Sequence, residues 1–174
     1  MTRKRFDPGR EILDEEIHRL KLYSRRILKC LDMLPEDAIW WRPNAASNSA
    51  GNLALHLAGN VRQWIISGLG GAADVRQRDH EFSERGPMPR RLLATLLART
   101  VNEACGVLKR TPTSRLGARF SKQGFTTTRL RAIAHVTEHF AYHAGQILYI
   151  TKLKLGRDLR FTRLPKQKKR QKRG

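Results

Sequence analysis

The chain has no run of about 18 apolar residues, so no membrane span is expected. It has two cysteines, Cys30 and Cys105, in 174 residues. That is too few for a disulfide framework. Both sit among apolar residues at helical spacing and read as small core residues in a reducing cytoplasm. The N-terminal Met1-Thr2-Arg3-Lys4-Arg5-Phe6-Asp7-Pro8 stretch is basic but lacks an apolar h-region, so no secretory signal is read. Acidic residues are also scarce: 15 Asp+Glu stand against 35 Lys+Arg, a net charge of +20. The segment Lys152–Gly174 holds eleven basic residues with Asp158 as its one acid, and so carries +10 of that excess. What remains is ordinary. Hydrophobic residues make up 40% and mean hydropathy is −0.55, which suits a single domain with a packed core rather than a disordered chain.

Helical periodicity dominates. A first segment runs from about Arg10 to Leu34, with Ile12, Leu13, Ile17, Leu20, Ile27, Leu28 and Leu31 on one face, and Pro35 ends it. A second runs from about Ser49 to Ser67 behind the caps Ser47, Asn48 and Ser49, with Leu53, Leu57, Val61 and Trp64 as its apolar seam and Gly68 closing it. A third runs from Pro89 to about Lys109, and Leu92, Leu93, Leu96, Leu97, Val101, Ala104 and Leu108 face one way. A fourth runs from about Thr127 to Leu153, capped within Thr126–Thr128 and ended by Gly156; Ile133, Val136, Phe140, Ile147 and Leu148 form its apolar side. The connections, roughly 35–48, 68–88 and 110–125, are long, and no β-strand is read in them. Four helices of similar length predict an all-α four-helix bundle, leaving up-down-up-down and crossover topologies open. Residues 1–161 form the domain. Residues 162–174 have almost nothing apolar to bury and predict a disordered basic tail. Its Lys166, Lys168, Lys169, Arg170, Lys172 and Arg173 suit sequence-blind, salt-sensitive contact with nucleic-acid phosphates. No aromatic residue interleaves them for base stacking.

Histidine carries the chemistry. His135, His139 and His143 fall at i, i+4 and i+8 in the fourth segment, within a band of about 80° beside the apolar face. His139 and His143 form an HxxxH pair, two imidazoles one turn apart that can converge on one metal ion. In the second segment His56, Asn60, Gln63 and Ser67 form a polar line beside the apolar seam. Such a line is costly unless it meets partners, and the histidine band is the obvious one. His56 is therefore the third candidate ligand. Asn60, Gln63, Gln146 or Glu138 could orient the ligand rings. His135 reads as a ligand, an orienting group or a proton shuttle, and the latter two are favoured. His18 and His80 read as surface residues. The string His135-Val136-Thr137-Glu138-His139 spells the inverzincin H-x-x-E-H pattern, but that site needs a further carboxylate downstream. Only Asp158 follows Glu138, just past the helix end, so the peptidase reading is set aside.

Two blocks together, Ser49-Ala50-Gly51-Asn52-Leu53-Ala54-Leu55-His56-Leu57-Ala58-Gly59-Asn60-Val61-Arg62-Gln63-Trp64-Ile65 and Glu138-His139-Phe140-Ala141-Tyr142-His143-Ala144-Gly145-Gln146-Ile147, resemble the DinB/YfiT-like proteins. The nearest likeness is to a small bacterial branch with a Trp-Trp-Arg-Pro stretch, here Trp40–Pro43. The DNA polymerase that shares the DinB name is unrelated. The resemblance spans about residues 9–161. It implies an up-down-down-up bundle, often dimeric, with a zinc, nickel or iron ion held by His56, His139 and His143. Similar proteins include S-transferases and isomerases that use low-molecular-weight thiols, and suspected hydrolases. The basic tail lies outside the family pattern.

Metal binding favours a thiolate, the nucleophile in thiol transfer to an electrophilic small-molecule substrate. Hydrolysis would instead want a base beside an activated water. Glu138 sits about 100° around the helix from His139, which leaves His135 as the base candidate. The lack of an inward carboxylate thus favours thiol transfer. Arg42 and Arg62 could hold an anion but read better as surface residues.

Overall fold

In a computed structural model, residues 6–86 and 88–162 are described. Four long helices form the bundle: α1 (Pro8–Met33), α2 (Ala50–Val61, continued by a π-helical stretch over Arg62–Leu69), α4 (Arg90–Arg110) and α5 (Arg129–Leu155). A short helix, α3 (Arg78–Ser83), lies in the connection from α2 to α4, and a hairpin of β1 (Arg119–Lys122) and β2 (Phe125–Thr128) precedes α5.

Local chemistry sets most of these boundaries. Asp7 caps α1 by accepting from the Gly9 and Arg10 amides, with Pro8 at the first turn. Ser49 and Asn52 form a reciprocal capping box on α2. Thr128 accepts from the Arg131 amide to start α5, and Gly156 ends it in the left-handed conformation at φ 61°.

Helix α1 packs on α4 and α5, and α2 packs on the same two. Direction follows from contacts at the ends. Arg10, at the start of α1, donates to the Thr111 carbonyl just past α4, and Arg90, at the start of α4, donates to the Leu34 carbonyl just past α1. These two helices are antiparallel. Cys30, near the end of α1, lies beside Thr151, near the end of α5, so these two helices run parallel. Arg129, opening α5, donates to the Leu69 carbonyl at the end of the α2 rod, so that pair is antiparallel. The topology is up-down-down-up, and the two long connections make it possible.

The core is a single cluster centred on Leu13, Leu20, Ile27, Leu57, Leu97 and Phe140, with Cys30 and Cys105 buried in it as expected. Burial pushes both thiols above the usual cysteine range. Three inward expectations fail: Ile12, Leu92 and Leu96 are exposed. Each helix touches two neighbours, and the apolar arc on α1 and α4 is wider than those neighbours cover.

The hairpin is also a departure from the all-helical reading. Lys122 pairs with Phe125 across the two-residue turn Gln123-Gly124, both at positive φ (51° and 77°). This is the primed turn that suits the strand twist. Gln-Gly is a weaker signal for it than Asn-Gly, and Arg119–Lys122 offers no apolar alternation. No described helix is long and apolar enough to cross a membrane. The tail residues Lys166, Lys168, Lys169, Arg170, Lys172 and Arg173 lie outside the described residues.

Candidate metal centre

Helices α2 and α5 bring His56, His139 and His143 together. Each offers one ring nitrogen, and those nitrogens all lie within 4.8 Å of one another. His56 is buried, and the other two are half-buried. His56 Nε2 and His139 Nε2 face each other at 2.8 Å. The His56 ring meets those of His139 and His143 edge-on, with centroids 4.9 and 5.1 Å away.

The outer nitrogens fix the tautomers. His56 Nδ1 lies 2.9 Å from Glu81 Oε2, and a carboxylate can only accept, so that nitrogen carries the proton. Arg76 Nη2 also approaches it, at 3.2 Å, but this group already donates to Glu81 Oε2 at 2.8 Å. The shorter carboxylate contact governs. His143 Nδ1 donates to Gln146 Oε1 at 2.7 Å. Both rings thus turn an Nε2 lone pair inward, the arrangement used when an outer partner orients a metal-ligating imidazole. The inward lone pair of His56 faces His139 Nε2 at 2.8 Å, a contact that needs a proton or a cation between the two nitrogens. The donor set therefore fits a divalent ion such as zinc, nickel or iron.

Electrostatics agree. Burial, helped by the neighbouring imidazoles and Arg76, pushes the pKa of His139 down to about 3. Burial also lowers that of His143, against the opposing pull of Gln146. Neutral imidazoles are what a metal requires.

The orienting groups differ in part from expectation. Gln146 does orient His143. Glu138 is exposed on the other side of α5, as its offset from His139 on the helix dictates. Gln63 is buried but touches no ring; it donates to Asp74 Oδ2 and accepts from Arg76 Nη1. Asn60 is buried with its Oδ1 unpartnered among the described residues. His135 is exposed, stacks on the His139 ring at 5.7 Å and meets Trp64 edge-on, also at 5.7 Å. It flanks the ligand cluster rather than joining it. His18 and His80 are exposed, as read. Arg42 is held by Asn52 Oδ1 and the Phe82 carbonyl, and Arg62 pairs with Glu103. Neither is free for an anion at this site.

Glu81 and Arg76 are the residues of this candidate site that sequence reasoning missed. They sit in and before α3, which packs on α2. Arg76 donates to Glu81 Oε1 at 2.7 Å with both side chains buried. Gly59 is a trace of this contact in the sequence: a Cβ there would collide with the Glu81 carboxylate. The polar chain continues through Gln63 to Asp74, which also takes Lys122 Nζ at 2.9 Å. Burial alone would raise the Asp74 pKa, but hydrogen bonds from Gln63, Lys122 and the Arg76 amide hold it below the usual carboxylate range. A depressed carboxyl contributes stability above its unfolded pKa and loses it as pH falls through the folded value. Urea melts should show a stability gap between wild type and Asp74→Asn that is full near neutrality and closes on acidification below about pH 4.

Comparison with known proteins agrees with the fold. A conserved protein of Enterococcus faecalis of solved structure is 17% identical, covers 83% of this chain and 97% of its own, and superposes with a TM-score of 0.71. The DinB-like protein YjoA of Bacillus subtilis is 14% identical, covers 83% of this chain and 94% of its own, with a TM-score of 0.64. No curated protein matches the sequence. The family described as "Protein of unknown function (DUF1572)" matches residues 7–168, and with its DinB-like bundle the chain belongs to that family.

Proposed function

We propose that this protein holds a divalent zinc, nickel or iron ion through His56, His139 and His143 and transfers a low-molecular-weight thiol to an electrophilic small molecule. The observation that carries the reading is the convergence of three ring nitrogens within 4.8 Å, with outer partners that orient the rings of His56 and His143. A bound ion would supply Lewis acidity, which favours a thiolate at neutral pH.

The protein's own groups favour thiol transfer over hydrolysis. The premise that no carboxylate points inward needs correction, since Glu81 does. Yet Glu81 stands behind His56, with one oxygen on Arg76 Nε and the other shared by His56 Nδ1 and Arg76 Nη2. It has no reach to a water on the ligand side. A thiol needs no strong protein base, and exposed His135, stacked on His139, is placed to receive its proton at a ring nitrogen. The same reading puts the protein in a reducing cytoplasm, where free thiols are present, and as a homodimer.

The test is thiol consumption with chlorodinitrobenzene as electrophile, across a panel of bacterial thiols, before and after chelation. Metal-loaded protein is expected to consume thiol well above the chelated control. Equal rates reject the transferase. Chelator-sensitive cleavage of a nitrophenyl ester without thiol would select the hydrolase instead.

A further inference from the structure

A cavity of about 370 Å³ opens beside the histidine cluster, between the hairpin and the first turns of α5. Trp64, Phe125, Thr126, Thr127, Arg131 and His135 line it. Its volume suits a small organic molecule. The hairpin wall is pinned in place. Lys122 Nζ reaches Asp74 and Ser67 at 2.9 and 2.8 Å, and Phe120 meets Trp64 edge-on with centroids 6.3 Å apart.

Its chemistry is lopsided. No acid lines the cavity, and Arg131 has no carboxylate partner among the described residues. Phe125 is 67% exposed at the tip of the hairpin, an aromatic face with little of its own to cover. The other wall is His135, which stacks directly on the candidate ligand His139. Along α2, His56, Asn60 and Trp64 follow at successive turns, so the unpartnered Asn60 Oδ1 lies on the helix between the ligand cluster and the cavity.

We propose that this cavity binds a planar carboxylate, an aromatic or conjugated acid, with its anion on Arg131 and its flat body against Phe125, over the 6%-exposed edge of Trp64. An unpaired guanidinium recognises a carboxylate by charge-assisted hydrogen bonds. Aromatic walls recognise a flat apolar body by stacking. That this acid is the electrophilic substrate rests on the metal-dependent reading above; that the cavity binds it does not.

Benzoate is the probe, titrated by calorimetry and by amide-shift NMR into full-length protein stripped of metal. Benzyl alcohol is the neutral control. Saturable benzoate binding is expected, with shifts centred on Trp64 and the hairpin. Affinity should fall by about tenfold or more in Arg131→Gln, and be weaker by a similar factor for benzyl alcohol. Phe125→Ala should weaken both ligands. Arg131 and Phe125 are both exposed, so these variants keep the fold. Equal benzoate affinity in wild type and Arg131→Gln overturns the proposal, as does the absence of saturable binding. The assay contains no metal, so a failed metal centre leaves this result standing, and a failed cavity leaves the metal centre standing.

Discussion

Glu81→Gln is expected to weaken zinc binding by about 10- to 100-fold, the usual effect of losing the group that orients a ligating histidine. The amide nearly preserves shape but removes the charge that holds His56 Nδ1 protonated and anchors Arg76. Its NH₂ can also turn toward His56 and favour the wrong tautomer. Competition titration with a chromophoric chelator reads the shift. Glu81→Ala should do more. It leaves a buried guanidinium without its anion, a loss of about 3–5 kcal/mol for a broken buried pair. For a domain of this size that corresponds to roughly 6–20 °C in Tm. The two variants separate orientation from stability. If Glu81→Gln binds zinc as tightly as wild type, the carboxylate is a strut for α3 and has no part in the centre.

Gly59→Ala should reproduce much of this without touching a polar residue. Alanine is the better helix former by about 1 kcal/mol, so an exposed glycine in the same helix would gain stability from the change. Here the new Cβ falls on the Glu81 carboxylate, with Arg76 Nε close behind at 3.1 Å. Either α3 shifts away from α2 or the carboxylate leaves His56. The expected outcome is a net loss of about 1–3 kcal/mol, as for other overpacked sites. Zinc affinity should fall alongside it. A stabilised variant with unchanged affinity would show that the α2–α3 contact is loose enough to absorb a methyl group.

These two residues also mark where the sequence stops being informative. The four long helices were legible because each buries one stripe, and a stripe has a period. The histidine trio was legible because a polar line beside an apolar seam demands a partner, and His56 and the HxxxH pair supply each other's. Glu81 and Arg76 lie in the connection 68–88, whose own helix, α3, is six residues long. Six residues show no period, and nothing in their order says that the segment folds back onto α2. Gly59 carried the one hint, but a glycine in a helix has several explanations until its neighbour is seen. Asn60 and Gln63 belong to the same polar line as His56, yet neither reaches a ring. A helical wheel gives a side chain's direction around the axis and leaves its partner undetermined. The hairpin escaped notice because its strands are four residues each and mostly polar. Its stability comes from the primed turn, weakly signalled by Gln-Gly, and from two tertiary contacts, Phe120 against Trp64 and Lys122 on Asp74 and Ser67.

The most direct measurement is elemental analysis of untagged protein purified without added metal, wild type beside His56→Ala, His139→Ala and His143→Ala. A single divalent ion shared by three imidazoles predicts close to one equivalent per chain in wild type and loss of nearly all of it in each variant, with the helical circular dichroism retained. The same low, substoichiometric metal in all four proteins would contradict it.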